Sequence, residues 1–178
     1  MTDLSDQDLI ENAIGGDSAA FARLVERHYV SIYRIAFKCC GNQADAEDIA
    51  QNVCVKLGKS IESFEGQSAF SSWLYRVTLN AVRDFQRAGQ RQMQKMTELA
   101  FIAETNYAPD PVMDLTRTQI WEMVQQLPEK QRSAVILIYS EELSHRQAAE
   151  IMDCSESTVS WHIHEAKKRL KQFLTGEC

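Results

Sequence analysis

Proline and glycine are scarce here, three and seven in 178 residues, and with them the turn chemistry that punctuates a chain of many short strands. No strand pattern stands out, and no apolar stretch approaches the ~18 residues of a membrane-spanning helix. The start, Met1-Thr2-Asp3-Leu4-Ser5-Asp6, has neither a basic opening nor an apolar centre. No signal peptide or membrane insertion is therefore expected, and the protein is expected to stay in the cytoplasm. A basic excess is missing too. Nineteen Lys and Arg against 25 Asp and Glu leave a net charge of −6, where a nucleic-acid binder usually shows a basic patch and often a basic isoelectric point. Net charge is a sum, however. Acid collects near the start and in the middle, and basic residues recur at helical spacing further on. Such a chain is suited to binding DNA beside a partner that supplies further contacts.

The five cysteines, Cys39, Cys40, Cys54, Cys154 and Cys178, are odd in number and include no CxxC pair, which excludes a disulfide framework. Together with His28, His145, His162 and His164 they are too dispersed for a zinc site, so neither metal nor cofactor is expected. They read as small apolar fillers in a reducing compartment. Helix periodicity turns at least one of the adjacent Cys39 and Cys40 toward a core, so this pair is not expected to respond to oxidants.

What is present is helical periodicity. Apolar residues recur at three and four spacing almost throughout, which predicts an all-α fold of two small helical domains, 1–95 and 118–178, joined by a flexible acidic linker, 96–117. In the first, Asp17 or Ser18 caps a helix with Phe21, Leu24, Val25 and Tyr29 on one face, continued by Ile32, Ile35 and Ala36 and ended by Gly41-Asn42. A second helix is expected from about Ala44 to Lys59. The loop Ser63 to Ser68 then leads to a long helix from about Ala69 to Arg91. The linker carries Glu98, Glu104, Asp110 and Asp114 against Arg117 alone, with Pro109 and Pro111 disfavouring helix; part of it is expected to be transiently helical. In the second domain, Pro128 is placed for the first turn of a helix bearing Ala134, Val135, Leu137 and Ile138. Ser144 and Gln147 have capping-box spacing, and Ser155 caps a last helix that runs to about Phe173.

Three segments carry candidate chemistry. The short helix after Ser144, the turn at Asp153-Cys154 and the final helix make a helix-turn-helix. At about 100° per residue, Val159, Ile163, Ala166 and Leu170 share the packed side and Ser157, Trp161, His164 and Lys168 the opposite one. That second side is shaped for a major groove, with Lys167, Lys168, Arg169 and Lys171 meeting phosphates; a plain amphipathic helix with a solvated face is the alternative. On the long helix of the first domain, Leu74, Ala81, Val82 and Phe85 fall on the core side, while Trp73, Arg76, Asn80, Arg83 and Arg87 line a stripe opposite. Arginines meet phosphate, an amide reads base edges, and an exposed aromatic stacks on unpaired bases, a combination suited to strands being separated. A solvated charged face explains the same stripe, and so does a Trp73 that only skirts it from the core. The third segment, Asp45-Ala46-Glu47-Asp48-Ile49-Ala50-Gln51, puts carboxylates at a helix start. The macrodipole is a complete explanation of that placement, and a docking face for a basic protein surface is the functional one.

Taken together, these segments resemble the extracytoplasmic-function (ECF) branch of the sigma-70 family. The likeness rests on Leu9-Ile10, Gly16-Asp17, Ala20-Phe21 and Leu24-Val25, on Asp45-Ala46-Glu47-Asp48 with Gln51, and on Phe64 with Gly66. It continues through Phe70, Trp73-Leu74-Tyr75-Arg76, Asn80, Asp84 and Arg87. In the second domain it takes in Leu127-Pro128, Arg132, Leu143-Ser144, Ala149-Glu150-Ile151 and Ser155 with Thr158-Val159. Each motif is weak alone; their order and spacing are specific and cover nearly the whole chain except the linker.

The resemblance implies sigma-2-type and sigma-4-type domains and an alternative sigma factor that directs RNA polymerase core to promoters. Asp45, Asp48, Gln51 and Asn52 would dock on the clamp helices of the largest polymerase subunit. Phe64, Trp73, Arg76, Asn80, Arg83 and Arg87 would hold the unwound −10 element. Residues from Leu127 to about Leu143 would meet the flap of the second-largest subunit. Ser155, Ser157, Thr158, Ser160, Trp161, His164, Glu165 and Lys168 would read the −35 element. The linker would thread toward the RNA path. The resemblance also implies an anti-sigma factor that blocks core binding, in some cases near the membrane, and no catalysis by the chain itself. The departures from the family pattern concentrate in the last helix, where Ser160-Trp161-His162-Ile163-His164-Glu165 follows Thr158-Val159 in place of the usual basic residues and Ser-Arg pair. Glu165 stands where Arg is typical, which implies an unusual −35 sequence, and Asp153 stands where a turn Gly is usual. Asp tolerates the left-handed conformation well enough for the turn to survive.

Two other classes compete. A free-standing helix-turn-helix repressor or activator would bind duplex DNA without polymerase, and the aromatic–arginine stripe counts against it. An enzyme or metal-dependent redox sensor would depend on Cys39, Cys40 or Cys154, whose spacing gives it little support. Unchanged transcription after mild peroxide treatment is the expected result for the cysteines, and loss reversed by thiol would overturn it.

Overall fold

The computed structural model describes residues 4–66, 68–97 and 115–175, and among these every regular element is helical. Most of the expected linker, with Glu98, Glu104, Asp110, Asp114, Pro109 and Pro111, lies outside the described residues, as do Met1 to Asp3, Gln67 and Cys178.

Helix α1 (Asp6–Ile14) starts at Ser5, whose hydroxyl accepts from the Asp8 amide while the Asp8 carboxylate accepts from the Ser5 amide. Asp6 then ties α1 to the next helix through Arg27 at 2.7 Å and His28 at 2.8 Å. Helix α2 (Ser18–Cys40) is capped by Asp17, which accepts from Ala19 and Ala20, and ends at Gly41 with φ 71°. Gly41 suits this position through its left-handed backbone, and a Cβ there would push aside the end of the Gln125 side chain. Helix α3 (Gln43–Ser60) takes Asn42 as its cap, and a short 3₁₀ turn (Ile61–Ser63) leads out of it. Helix α4 (Phe70–Thr97) follows, its first amides returning to the Ala69 carbonyl.

Past the linker come α5 (Leu115–Gln125) and α6 (Glu129–Val135). Pro128 stands just before the first turn of α6 rather than inside it. With ψ 144° its backbone is still extended, yet its carbonyl already accepts from the Arg132 amide. From Ile136 to Ser140 the helix widens to a π turn, closed by the Glu141 amide on the Ile136 carbonyl at 3.1 Å. Glu142 follows at φ 53°, a left-handed residue that turns the chain sharply. Helix α7 (His145–Met152) carries the full Ser144–Gln147 capping box, and α8 (Glu156–Thr175) starts behind Ser155, whose hydroxyl accepts from the Thr158 amide.

One continuous apolar cluster results, with two parts. Leu9, Leu24, Ile32, Ile35, Ile49, Val53 and Leu74 fill the first, where α2 packs on α1, α3 and α4. Val124, Leu127, Ile136, Leu137, Ile151, Val159 and Ala166 fill the second, where α8 packs on α6 and α7. Such fully buried aliphatic side chains each contribute about 1.5–3 kcal/mol through removal from water. The units also touch each other, α4 against α7 and α2 against α5.

Candidate nucleic-acid interface

The turn before α8 is built as the sequence requires. Asp153 adopts φ 53°, ψ 54° and its amide reaches back to the Ala149 carbonyl, so the missing glycine is tolerated. Ser155, Ser157 and Thr158 then form a hydroxyl cluster at 2.8 Å spacing around the start of the helix, and the Ser160 hydroxyl bonds back to the Glu156 carbonyl. Val159, Ile163 and Ala166 are buried, Leu170 is half-buried, and Ser157, Ser160, Trp161, His164 and Lys168 stand exposed, Trp161 at 55%. Glu165 is half-buried on the flank. The exposed side therefore presents one indole, one imidazole and, with Lys167, Arg169 and Lys171, a run of cations. Lys167 also lies over the Tyr139 ring, 5.5 Å from its centroid.

His162 was not assigned to either side from the sequence. It is 7% exposed and its Nδ1 has no partner among the described residues. Burial, helped by the nearby Lys130 charge, keeps its imidazole below the usual range, so it packs as a neutral ring beside Trp161.

On α4 the core side is as expected: Leu74, Ala81 and Val82 are buried and Phe85 half-buried. Arg76, Asn80 and Arg87 are exposed and Arg83 half-exposed on the other side. Trp73 belongs to neither side cleanly. It is half-buried in an aromatic cluster, 5.4 Å from Phe64 and 5.6 Å from Phe70, and His28 meets Phe70 at 5.2 Å from the far side. Phe64 and Trp73 thus act as one platform, with the loop residue packed on the helix residue.

Two arginines of the stripe, Arg76 and Arg83, are already engaged. Arg76 donates to the Glu150 carbonyl, and Arg83 pairs with the Glu129 carboxylate and donates to Asn80 Oδ1 at 3.1 Å. Arg76, Asn80 and Arg83 line a cavity of about 280 Å³ whose opposite wall includes Lys130, Thr158 and His162. Parts of the two candidate DNA surfaces thus face each other across one cavity.

On α3, Asp48, Gln51 and Asn52 are exposed, and Asp45 is half-buried where Asn42 caps its amide. Val55, 60% exposed, extends this face by a turn. Its i+4 spacing from Gln51 signals its place on the same side, but an apolar type invites assignment to the core.

A second cluster escaped the sequence reading. The Glu141 side chain is 1% exposed, and Arg34 grips it with Nε on Oε1 at 3.1 Å and Nη2 on Oε2. Lys38 lies at 3.7 Å and the Tyr75 hydroxyl at 3.4 Å. Burial opposes ionisation of Glu141, but the hydrogen bonds from Arg34 and Ser140 and the charges of Arg34 and Lys38 outweigh it and hold the carboxyl below its usual range. Burial and the same carboxylate push the Tyr75 phenol up.

Of the cysteine pair, Cys39 is the residue turned inward, and burial pushes its thiol up to about 12. No group of three or more His, Cys, Asp or Glu placed to hold a metal occurs among the described residues, and no helix among them is long and apolar enough to cross a membrane.

Comparison with known proteins bears on this geometry. Residues 24–92 match the family model Sigma-70 region 2, and residues 117–170 match Sigma-70, region 4. The chain is 31% identical over 179 residues to an ECF RNA polymerase sigma-E factor of Haemophilus influenzae, covering 94% of each chain. It is also 31% identical over 170 residues to the ECF RNA polymerase sigma factor SigW of Bacillus subtilis, covering 89% of this chain and 91% of that one. Its fold is shared by the sigma factor RpoE of Bartonella quintana, solved in complex with the anti-sigma factor NepR, at TM-score 0.73 and 24% identity over 87% of this chain and 96% of that one. CnrH, solved in complex with the cytosolic domain of CnrY, superposes at TM-score 0.70 with 23% identity over 97% of this chain and 99% of that one. With an arginine stripe on its region 2 helix and an outward basic helix in its region 4, this chain belongs to the ECF branch of the sigma-70 family.

Proposed function

We propose that this chain binds RNA polymerase core and directs it to a defined class of promoter. The observation that carries this reading is the pairing of two surfaces on separate groups of helices: the Arg76–Asn80–Arg83–Arg87 stripe backed by the Phe64–Trp73 platform, and the outward face of α8. The first combines cations for phosphate, an amide for a base edge and rings for stacking, and it is read as the site for the separated −10 strand. The second, from Ser155 to Lys168, has the length and start of a major-groove helix and is read as the −35 site. On that helix the Ser155–Thr158 hydroxyl cluster and Trp161 are read as facing the bases and Lys168 and its basic neighbours as facing phosphate, while Glu165 on the flank would repel phosphate or accept from cytosine N4.

Asp45, Asp48, Gln51 and Asn52, extended by Val55, form the surface read as the dock for the polymerase clamp helices. Residues Leu127 to Leu143 are read as the contact for its flap. On this reading the catalytic chemistry belongs to the polymerase, the chain works in the cytoplasm, and a separate anti-sigma factor withholds it from core. Relatives of the same fold caught with such partners support that last element.

The test is transcription by purified core polymerase over a pool of genomic fragments, with and without this protein. Discrete start sites seen only with the protein are the expected result. No initiation and no core binding by folded protein would reject the reading, and tight duplex binding without core would put a free-standing repressor in its place.

A further inference from the structure

Trp161 stands in the second turn of α8, at the centre of its outward face, with Ser157 a turn before it and His164 and Lys168 beyond. It is 55% exposed, and its ring meets the buried His162 ring edge to face, with centroids 5.0 Å apart and planes at 63°. Edge-to-face pairs of this kind hold better than their area implies, so the indole leaves the helix from a firm backing. The hydroxyls around it already have partners. Ser155 shares bonds with Ser157 and Thr158 at 2.8 Å, and Ser160 bonds back to the Glu156 carbonyl at 3.0 Å. The largest group that the first two turns present outward is therefore the indole, an apolar body with a single N–H donor.

What such a group can recognise follows from the base edges. Guanine, adenine and cytosine show a major groove their donors and acceptors, and thymine alone adds an apolar group, its C5 methyl. The residues near the start of a recognition helix are the ones that reach those edges. An arginine there would fork onto guanine and an asparagine onto adenine. The indole can make neither paired contact, but it can cover a methyl group. We propose that Trp161 is a specificity-determining residue that reads thymine in the −35 element through that methyl. This rests on the −35 reading of α8 given above and adds one chemical feature of the DNA that the helix selects. Packing of the indole on a sugar, or stacking on a base, is indifferent to the methyl, which therefore separates the possibilities.

The test offers the full chain, bound to core polymerase, a pool of duplexes with a random stretch. The pool is prepared once with thymine and once with deoxyuridine, which lacks the methyl. From the thymine pool the wild type is expected to enrich a motif with thymine at fixed positions. From the deoxyuridine pool it is expected to enrich the rest of that motif without uracil at the position Trp161 reads. Trp161→Ala, with helix content checked by circular dichroism, is expected to keep the rest of the motif and lose thymine at that position. Trp161→Arg is expected to move the preference there toward guanine. On the selected duplex, exchanging that thymine for deoxyuridine is expected to weaken wild-type binding about fourfold, the effect of one buried methyl group, and to leave Trp161→Ala unchanged. The thymine–deoxyuridine comparison needs no variant, so it stays decisive whatever a substitution does to folding. The same motif from both pools, or a thymine preference that survives Trp161→Ala throughout, would overturn the methyl contact and leave the −35 reading standing. No enriched motif from either pool would overturn that reading, and the contact with it.

Discussion

On α8 the residues turned from the core, Ser157, Trp161, His164 and Lys168, stand in solvent, while on α4 Arg76 and Arg83 are already held by groups of the other unit. Both helices follow the same rule of spacing, with an apolar side buried and a polar side left over. The difference lies in what comes to rest on the polar side. An exposed face is available as it stands, whereas an engaged one must exchange protein acceptors for phosphate before it can act. On the proposed assignment, the −35 surface is thus ready-made and the −10 surface conditional.

The largest expected effect breaks the comparison at its base, by removing one unit from it. Leu137 is fully buried in the second part of the apolar cluster, so Leu137→Ala leaves a cavity there and costs about 2–5 kcal/mol. Unfolding followed at Trp161 is expected to shift to much lower denaturant, while the first unit, to whose helices Leu137 does not belong, is expected to keep its own transition. A single joint transition that shifts as a whole would show that the contacts between the units couple them into one cooperative body.

Next in size is the paired substitution Asn80→Ala with Arg83→Ala. Two lost polar contacts at about 0.5–1.5 kcal/mol each predict a fall in promoter opening of roughly one to two orders of magnitude. Core binding is expected to hold while opening fails. Lys168→Ala is the counterpart on α8. It is expected to weaken promoter binding modestly and uniformly across sequences, and to reduce the salt slope by about 1. Equal losses from the two changes would erase the distinction between a conditional and a ready-made surface.

Acid is expected to loosen the contact between the units by a smaller, graded amount. The groups facing Glu141 are Arg34 and Lys38 from α2 and Tyr75 from α4, and of these only Glu141 changes charge in mild acid. Its carboxyl is held below the ordinary value of 4.5, so its contribution to that contact is complete above that pH and is lost as pH falls through the lower folded-state value. The radius of gyration from small-angle X-ray scattering is expected to rise below about pH 4.5 in the wild type, while Glu141→Gln is expected to be expanded at neutral pH already. A wild type that stays compact well below that pH with its helices intact would show that Glu141 does not hold the units together.

Much of this was legible because it is local. Asp17, Gly41 and the Ser144–Gln147 box are decided within four residues, and the buried sides of α4 and α8 follow from spacing alone. What escaped depends on distant partners. Glu141 meets Arg34 across 107 positions, and nothing near either residue marks the pair. Trp73 was read from its own helix, but its half-burial is set by Phe64 arriving from the loop. His162 sits three residues after Val159 and four before Ala166, squarely at core spacing, and its polar type hid what the spacing showed. Val55 was missed for the opposite reason.

The smallest expected effect concerns the turn that orients α8. Asp153 holds φ 53°, a conformation that costs an ordinary L-residue roughly 1–2 kcal/mol and glycine almost nothing. Asp153→Gly is therefore expected to stabilise the second unit by about 0.5–1 kcal/mol, after glycine's extra freedom in the unfolded chain is deducted. That corresponds to a melting rise of a few degrees for a domain of this size. Asp153 also lines the cavity that Arg76 and Arg83 enter, so its carboxylate adds to the acidic groups between the units. Asp153→Asn separates the two roles, because asparagine keeps the tolerance for the left-handed turn and loses the charge. If the glycine variant is more stable yet looser in scattering, and the asparagine variant is looser without the gain, the turn residue belongs to both the ready-made surface and the conditional one. If neither variant loosens, Asp153 serves the turn alone, and the acidic groups that tie the units reduce to Glu129 and Glu141.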